Sequence, residues 1–148
     1  MSNIDIMDEK ILKELSKDAR TSYRALAQKL GLAIGTIASR VRRLESSGVI
    51  KAYTCVIDYE KIGYDIVALI EFTVSKGRLE EVEKKISEKK NVYGVYDVTG
   101  LTDSVILARF RDRRELNAFV KDLLRMENIE RTNTHVILNV VKEDYRAF

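Results

Sequence analysis

The chain has 148 residues, and its 26 Lys and Arg residues exceed its 23 Asp and Glu residues by three. One cysteine excludes an internal disulfide, and one cysteine with one histidine excludes a zinc site built from these ligands, so we expect no metal and no cofactor. Because no apolar run approaches the roughly 20 residues that cross a bilayer and the first residues do not read as a signal peptide, we expect a cytoplasmic protein without a membrane partner.

The first predicted element is a helix that runs through Leu15. Either Asp5 or Asp8 can serve as its N-cap, because a short acidic side chain accepts hydrogen bonds from the free N–H groups of a first turn. Ile11, Leu12 and Leu15 form its apolar stripe. This spacing is typical of a helix with one buried side.

The segment Arg20–Arg43 is basic and contains no acidic residue. Its charged side chains are Arg20, Arg24, Lys29, Arg40, Arg42 and Arg43. Ser22 is a suitable N-cap for a second helix, and Gly31 lies where a tight turn requires positive φ. A third helix is predicted from about Ile34 to Ser46. A basic helix-turn-helix pattern of this kind is typical of proteins that bind nucleic acid.

The third helix has one apolar face and one polar face. Ile37, Val41 and Leu44 repeat at i, i+4 and i+7 and are predicted to face the core. The opposite face carries Gly35, Ser39, Arg42 and Arg43, with Thr36 at its edge. Small side chains allow a close approach to base edges, and arginine reaches guanine or phosphate. We therefore expect this face to enter the major groove of DNA.

Four further residues are predicted to contact the DNA backbone. Arg40 lies nearer to the apolar stripe than the other arginines of its helix and is assigned to phosphate. Arg20, Thr21 and Tyr23, at the start of the second helix, are assigned to phosphate as well. The alternative is a three-helix packing unit whose basic face is only solvated.

The pattern of the chain changes after Gly48. Residues Val49–Ile57 alternate like a β-strand. The stretch from Asp58 to Tyr64 contains Gly63 and is interpreted as a hinge between two domains. We therefore predict a DNA-binding domain at 1–57 and a second domain at 58–148.

The second half of the chain alternates between strands and helices in the order β-α-β-β-α-β. The predicted strands are Ile66–Val74, Val92–Thr99, Ser104–Arg111 and Ile129–Val141, and the predicted helices are Leu79–Lys89 and Arg113–Met126. This order predicts an α+β, ferredoxin-like domain with an antiparallel sheet and both helices on one face. We expect another subunit to cover the other face, because the strands are rich in apolar and aromatic residues. In the second strand, alternation predicts Val92, Gly94 and Tyr96 on one face and Tyr93 and Val95 on the other.

The chain resembles the leucine-responsive regulatory protein/AsnC (Lrp/AsnC) family, also called feast/famine regulators, over nearly its full length. The motifs that carry this resemblance are Asp5-Ile-Met-Asp8 with Ile11-Leu12, Asp18-Ala-Arg20, Leu26-Ala27 with Leu30-Gly31, Arg43-Leu-Glu-Ser-Ser-Gly-Val-Ile50, Val56-Ile-Asp58, Gly63-Tyr64 and Thr99-Gly-Leu-Thr-Asp103. Their order and spacing together are highly specific. The chain departs from the family at Ala33-Ile34-Gly35, where the third helix lacks a side-chain N-cap.

The resemblance implies a winged-helix-like helix-turn-helix domain that binds operator DNA and a C-terminal RAM domain that binds a small effector, usually an amino acid. It also implies a homo-oligomer, namely a dimer that assembles into an octamer or another multiple of dimers. The family's effector site maps onto Gly100, Leu101, Thr102 and Asp103, with Thr132 and Thr134 as neighbours. In the alternative, Asp103 only caps its turn through an Asx hydrogen bond and binds nothing.

We therefore predict a transcriptional regulator that binds double-stranded DNA sequence-specifically and responds to a small effector. No combination of residues indicates catalysis, so we expect no enzyme. Two other functions fit parts of the sequence. One is a nucleoid-type architectural protein that coats DNA with little sequence preference, and the other is a ligand-binding module whose helices contact a protein partner.

Overall fold

The computed structural model describes residues 4–75 and 77–144, which fall into two compact units. One unit runs to Val56 and includes the chain from Lys142, and the other runs from Ile57 to Val141. The first contains three helices, and the second contains a four-stranded sheet with two helices. This is the α+β architecture that the sequence predicts.

The helices of the first unit are α1 (Ile6–Lys17), α2 (Tyr23–Leu30) and α3 (Ile34–Ser46). Asp5 is the N-cap of α1, and Asp8 completes a reciprocal capping box with it. Ser22 caps α2 by accepting a hydrogen bond from the N–H of Ala25. Gly31 ends α2 with a φ of +67°, as the tight turn requires. The N-terminus of α3 has no side-chain cap, as expected at Ala33.

The three helices enclose one apolar core, and the segment that follows them is not a strand. The fully buried side chains of this core include Ile11, Leu26, Ile37, Val41 and Leu44. The predicted strand at Val49–Ile57 is wrong, because these residues form neither helix nor strand. A strand needs a hydrogen-bonded neighbour, and every strand of the described chain belongs to the sheet of the other unit. The hydroxyl of Tyr53 instead donates to Glu45 at 2.8 Å.

The second unit has the predicted βαββαβ order. Its elements are β1 (Ile66–Val74), α4 (Leu79–Ser87), β2 (Val92–Asp97), β3 (Ser104–Phe110), α5 (Arg113–Arg125) and β4 (Ile129–Ile137). The strands lie in the order β2-β3-β1-β4, and every neighbouring pair is antiparallel. The ferredoxin-like prediction is therefore confirmed, although most of the elements end one to four residues earlier than predicted.

Both helices pack on one face of the sheet. Ile70 and Phe72 of β1 are buried against Ile86 of α4 and Phe119 of α5 in a single core. The opposite face carries side chains that are only partly buried, among them Val67, Leu69, Val105 and Leu107. Its coverage by another subunit remains a prediction. No helix of the described chain has the length and apolar character needed to cross a membrane.

The alternation predicted for β2 is wrong at its start. The register against β3 shifts between Val92 and Gly94, so one residue is inserted into the ladder. As a result Val92 and Val95 both pack against the core. Gly94 and Tyr96 share a face as predicted, and the Tyr96 ring lies 2.7 Å from where a β-carbon at position 94 would stand. A side chain at position 94 would therefore have to displace that ring.

Candidate DNA-binding and effector sites

The outer face of α3 carries the residues that were predicted to read bases. Gly35, Ser39 and Arg42 are exposed and lie opposite the buried stripe of this helix. Nothing lies within 4 Å of the position that a β-carbon at Gly35 would occupy. Ile34, which was not predicted as a site residue, is 47% exposed in the same first turn. In the free chain this face is therefore open along its length.

Thr36 and Arg43 flank this outer face, and both are exposed. The side chain of Arg43 also reaches the N-terminus of α1, where its Nη2 donates to the carboxylate of Asp8. Arg43 therefore combines an exposed position beside the outer face with a fixed anchor on α1.

Arg20, Thr21 and Tyr23 lie at the start of α2. The carbonyl of Asp18 accepts a hydrogen bond from the Thr21 hydroxyl at 2.8 Å, and its carboxylate accepts one from the Arg20 N–H at 2.9 Å. These bonds order the turn, while the side chains of Arg20 and Tyr23 remain exposed. An exposed arginine beside a helix N-terminus is suited to a phosphate.

Arg40 and Arg43 of α3 are engaged by the carboxylates of Asp5 and Asp8, at the N-terminus of α1. The Nη1 of Arg40 donates to Asp5 at 2.6 Å and to Asp8 at 2.9 Å. Arg43 donates to the other oxygen of Asp8, whose side chain is fully buried. The phosphate role predicted for Arg40 remains a prediction, but in the free chain two acids already hold its guanidinium. The two arginines and two acids carry no net charge together.

A third basic side chain of the acid-free segment is also paired, because Lys29 donates to Glu14 of α1. Within the described residues, Arg20, Arg24 and Arg42 form no ion pair. Three of the six basic side chains of this segment are therefore paired with acids of α1 or of its N-cap. A window along the sequence could not reveal this, because the acids precede the segment and reach it only through helix packing.

The pKa values of the two acids reflect this pairing. The hydrogen bond from Arg40, followed by that from the N–H of Asp8, lowers the pKa of Asp5 to about 2. Burial alone raises the pKa of Asp8, but hydrogen bonds from the Asp5 N–H, Arg40 and Arg43 outweigh it and lower the pKa overall. Asp5 and Asp8 in turn raise the pKa of Arg40. Asp5, Asp8 and Arg40 are therefore all charged at neutral pH.

The Asp5–Arg40 pair predicts a pH dependence of stability. Because folding lowers the pKa of Asp5 from 3.8 to about 2, the stabilisation is complete above pH 3.8 and is lost as the pH falls towards 2. Asp5→Asn keeps an N-cap of equal quality but removes the charge. We expect the wild type to melt at a higher temperature than Asp5→Asn at about pH 6, with the difference disappearing near pH 2. A difference that does not change with pH would contradict this.

The predicted effector turn is closed by Asp103. One carboxylate oxygen of Asp103 accepts the N–H of Val74 at 2.8 Å, its N–H donates to the carbonyl of Phe72 at 3.1 Å, and its carbonyl accepts the N–H of Val98 at 3.0 Å. Gly100 has a φ of +134°, which disfavours any residue with a side chain. Leu101 is completely exposed at the tip. The carboxylate of Asp103, directly before β3, therefore binds the last residue of β1. This bond joins two strands, whereas the alternative interpretation expects a local Asx turn.

Thr102 is partly buried in the same turn, whereas Thr132 and Thr134 lie across β1. They are paired with Phe72 and Ile70, on the strand edge opposite to β3. Two strand spacings separate β3 from β4, which amounts to about 10 Å. A single chain therefore brings Gly100, Leu101, Thr102 and Asp103 together but does not place the two threonines beside them.

Arginines and tyrosines cluster at one end of β3, which the sequence did not predict. The guanidinium of Arg109 lies 4.3 Å from the ring centre of Tyr59 and 3.7 Å from that of Tyr93. Arg111 lies 5.0 Å from the ring centre of Tyr64, and this ring meets Tyr59 edge to face. These contacts anchor the short turn at residues 60–62 on the sheet. Tyr93 lies 29 residues after Tyr64 in the sequence, so no local spacing signals the cluster.

Two family profiles match the chain. The profile described as winged helix-turn-helix DNA-binding covers residues 4–51, and the Lrp/AsnC ligand binding domain covers residues 67–147. HTH-type transcriptional regulator PH1692 of Pyrococcus horikoshii is 48% identical over 97% of both chains. HTH-type transcriptional regulator FL11 of Pyrococcus furiosus is 38% identical over 95% of this chain and 93% of its own.

Solved structures share the fold over nearly the whole chain. LrpC of B. subtilis is 29% identical with a TM-score of 0.85, covering 95% of this chain and 98% of its own. The leucine response regulatory protein LrpA of Mycobacterium tuberculosis is 30% identical with a TM-score of 0.86, covering 95% and 96%. Transcriptional regulator NMB0573 of Neisseria meningitidis, solved as an L-Met complex, has a TM-score of 0.88 at 23% identity, covering 97% and 96%.

Proposed function

Because the chain belongs to the Lrp/AsnC family of transcriptional regulators, we propose that it recognises a specific operator through α3 and responds to a small effector, most simply a free amino acid. The chain is thus a DNA-binding regulator with a ligand-binding domain, and not an enzyme. The observation that carries the proposal is the open outer face of α3, where Ser39 and Arg42 are exposed beside Gly35. A helix that presents such side chains fits the major groove.

The residues of the first unit divide into two roles. Ser39 and Arg42 contact base edges, Gly35 allows close approach, and Thr36 and Arg43 flank the groove. Arg20, Thr21 and Tyr23 hold phosphate at the start of α2. We leave Arg40 out of this set, because Asp5 and Asp8 hold its guanidinium.

The two domains have different functions. Residues 1–57 bind DNA, and residues 58–148 bind the effector and other subunits. A second copy covers the open sheet face that includes Val67, Leu69 and Leu107. In a dimer the two α3 helices read half-sites about 34 Å apart, or a multiple of that distance. Light scattering of the full chain tests this part, since a monomer at micromolar concentration contradicts it.

The effector site is proposed at the turn Gly100–Asp103. The backbone N–H groups of the turn suit a carboxylate, and the free carboxylate oxygen of Asp103 suits an α-ammonium group. Because Thr132 and Thr134 lie about 10 Å away across β1 in the same chain, a site that includes them requires the turn of another subunit. Effector binding then changes the free energy of assembly, and through it the affinity for DNA.

Asp103→Asn is expected to abolish the effector response while DNA affinity without effector stays within about twofold. Asparagine can still accept a hydrogen bond from the N–H of Val74, so the contact at the end of β1 is kept. The negative charge that pairs with the α-ammonium group is lost. Calorimetric titration with the active amino acid measures the loss. Asp97→Asn, at an exposed position on β2, is the control that should bind normally. Normal effector binding by Asp103→Asn contradicts the assignment.

The specificity of DNA binding is tested by comparing the affinity of the full chain for an operator with its affinity for random duplex at a fixed salt concentration. We expect a ratio of about 10³ or more, as base reading by α3 requires. A ratio near one, with a steep salt dependence, indicates architectural coating instead. Absence of duplex binding at low salt indicates a ligand-binding module.

A further inference from the structure

The carboxylate of Asp5 lies between the N-terminus of α1 and an arginine of α3. One oxygen of Asp5 accepts the N–H groups of Met7 and Asp8, each at 2.8 Å, at the N-terminus of α1. Its other oxygen accepts Arg40 at 2.6 Å. A helix N-terminus joined to a guanidinium is the arrangement by which proteins bind phosphate. Asp5 therefore occupies the place where a DNA phosphate would otherwise be attracted.

We infer that Asp5 competes with DNA phosphates for Arg40 and so weakens the binding of every duplex, operator and random alike, without affecting base contacts. The inference rests on the proposed function, since it assumes that α3 lies in the major groove. Phosphate contacts supply nearly all of non-specific affinity, so each charge withheld lowers the affinity for every sequence. The difference in affinity between operator and random duplex then depends on side chains that contact bases, such as Arg42.

Arg40 lies on the side of α3 that would face the DNA backbone. Thr36, Arg40 and Arg43 follow one another at i, i+4 and i+7 along the flank of α3 that borders its outer face. A guanidinium on this flank faces the DNA backbone when the outer face enters the groove. The side chain of Arg40 is 27% exposed and that of Asp5 is 51% exposed, so the pair lies at the surface and is open to exchange.

Asp5 is a better position than Asp8 for a substitution that releases Arg40. The side chain of Asp8 is fully buried and holds both arginines, so its removal perturbs the fold. Asp5 is exposed, and asparagine caps a helix as well as aspartate does. Asp5→Asn therefore releases Arg40 from one of its two acids while the first turn of α1 remains capped.

The test is the salt dependence of binding to random duplex, measured with the full chain. Asp5→Asn is expected to steepen the slope of log K against log salt by about 0.9 for each bound subunit and to raise the affinity about tenfold for each bound subunit at about 0.1 M salt. Affinity for the operator rises by a similar factor or less, so the specificity ratio does not increase. Arg40→Gln in the wild-type background is expected to leave the slope unchanged, and the double variant returns to the wild-type slope.

Glu9→Gln is the matched control, because it removes one exposed carboxylate from the same turn of α1. An equal change in slope for Glu9→Gln would mean that net charge alone is responsible and would overturn the inference. A wild-type slope in Asp5→Asn, or a shallower slope in Arg40→Gln alone, overturns it as well while leaving operator recognition intact. A wild-type chain that binds no duplex overturns both this inference and the proposed function.

Discussion

Replacing Asp8 by alanine is expected to destabilise the three-helix unit by about 2–3 kcal/mol. The buried carboxylate accepts hydrogen bonds from the N–H of Asp5, from Arg40 and from Arg43. Alanine leaves all three donors without this acceptor. The estimate lies below the usual cost of breaking a buried ion pair, because the side chains of Arg40 and Arg43 are 27% and 53% exposed and regain water.

Hydrogen exchange of backbone amides measures this effect in the full chain and reports each unit separately. We expect the slowest amides of α1 and α3 to exchange roughly 30- to 150-fold faster in Asp8→Ala, while those of β1 and β3 do not change. Glu9→Ala removes an exposed carboxylate beside Asp8 and should alter stability by less than about 0.5 kcal/mol. Unchanged exchange in Asp8→Ala would show that the buried carboxylate does not stabilise the unit.

Arg42→Ala is expected to weaken operator binding by about 1–3 kcal/mol for each engaged subunit. Arg42 is exposed on the outer face of α3 and forms no ion pair within the described residues, so it is the arginine of this helix with its full charge available. A guanidinium there can contact guanine through two hydrogen bonds, and alanine leaves those acceptors unpaired. Discrimination at that base pair should relax accordingly.

Fluorescence anisotropy with the full chain, on an operator and on a random duplex, measures the effect. Affinity for the operator should fall more than affinity for the random duplex, so that the specificity ratio decreases. Arg114→Ala removes the same charge from an exposed position on α5 and should leave the ratio unchanged. Equal losses on both duplexes would assign Arg42 to phosphate rather than to a base.

The helices and strands could be predicted because their signals are local. Ile37, Val41 and Leu44 repeat with the period of a helix and are buried as expected, and Gly31 marks the turn by its φ. The alternation of β1 is equally regular, and its predicted bounds agree with the structure. An alternating pattern predicts a strand wrongly where no neighbouring strand pairs with it, as at residues 49–57. It predicts the buried face wrongly where the pairing is irregular, as at the bulge after Val92.

The exposed face of the candidate DNA-binding site could be predicted from the sequence, but the pairing of its basic side chains with acids could not. The exposed positions of Gly35, Ser39 and Arg42 follow from helix geometry, which the sequence contains. The pairing of Arg40 with Asp5 joins residues 35 positions apart and depends on how α1 packs on α3. The separation of Asp103 from Thr132 likewise depends on strand order, which brings β1 between them.

The central claim is that the chain reads a specific operator and that an amino acid changes this binding. Selection of bound sequences from random duplexes, repeated with and without a panel of free amino acids, tests it most directly. We predict an enriched palindrome whose half-sites lie one helical turn or a multiple apart, with an affinity that shifts with a particular amino acid. Tight binding with no enriched sequence, unaffected by any amino acid of the panel, would contradict the claim.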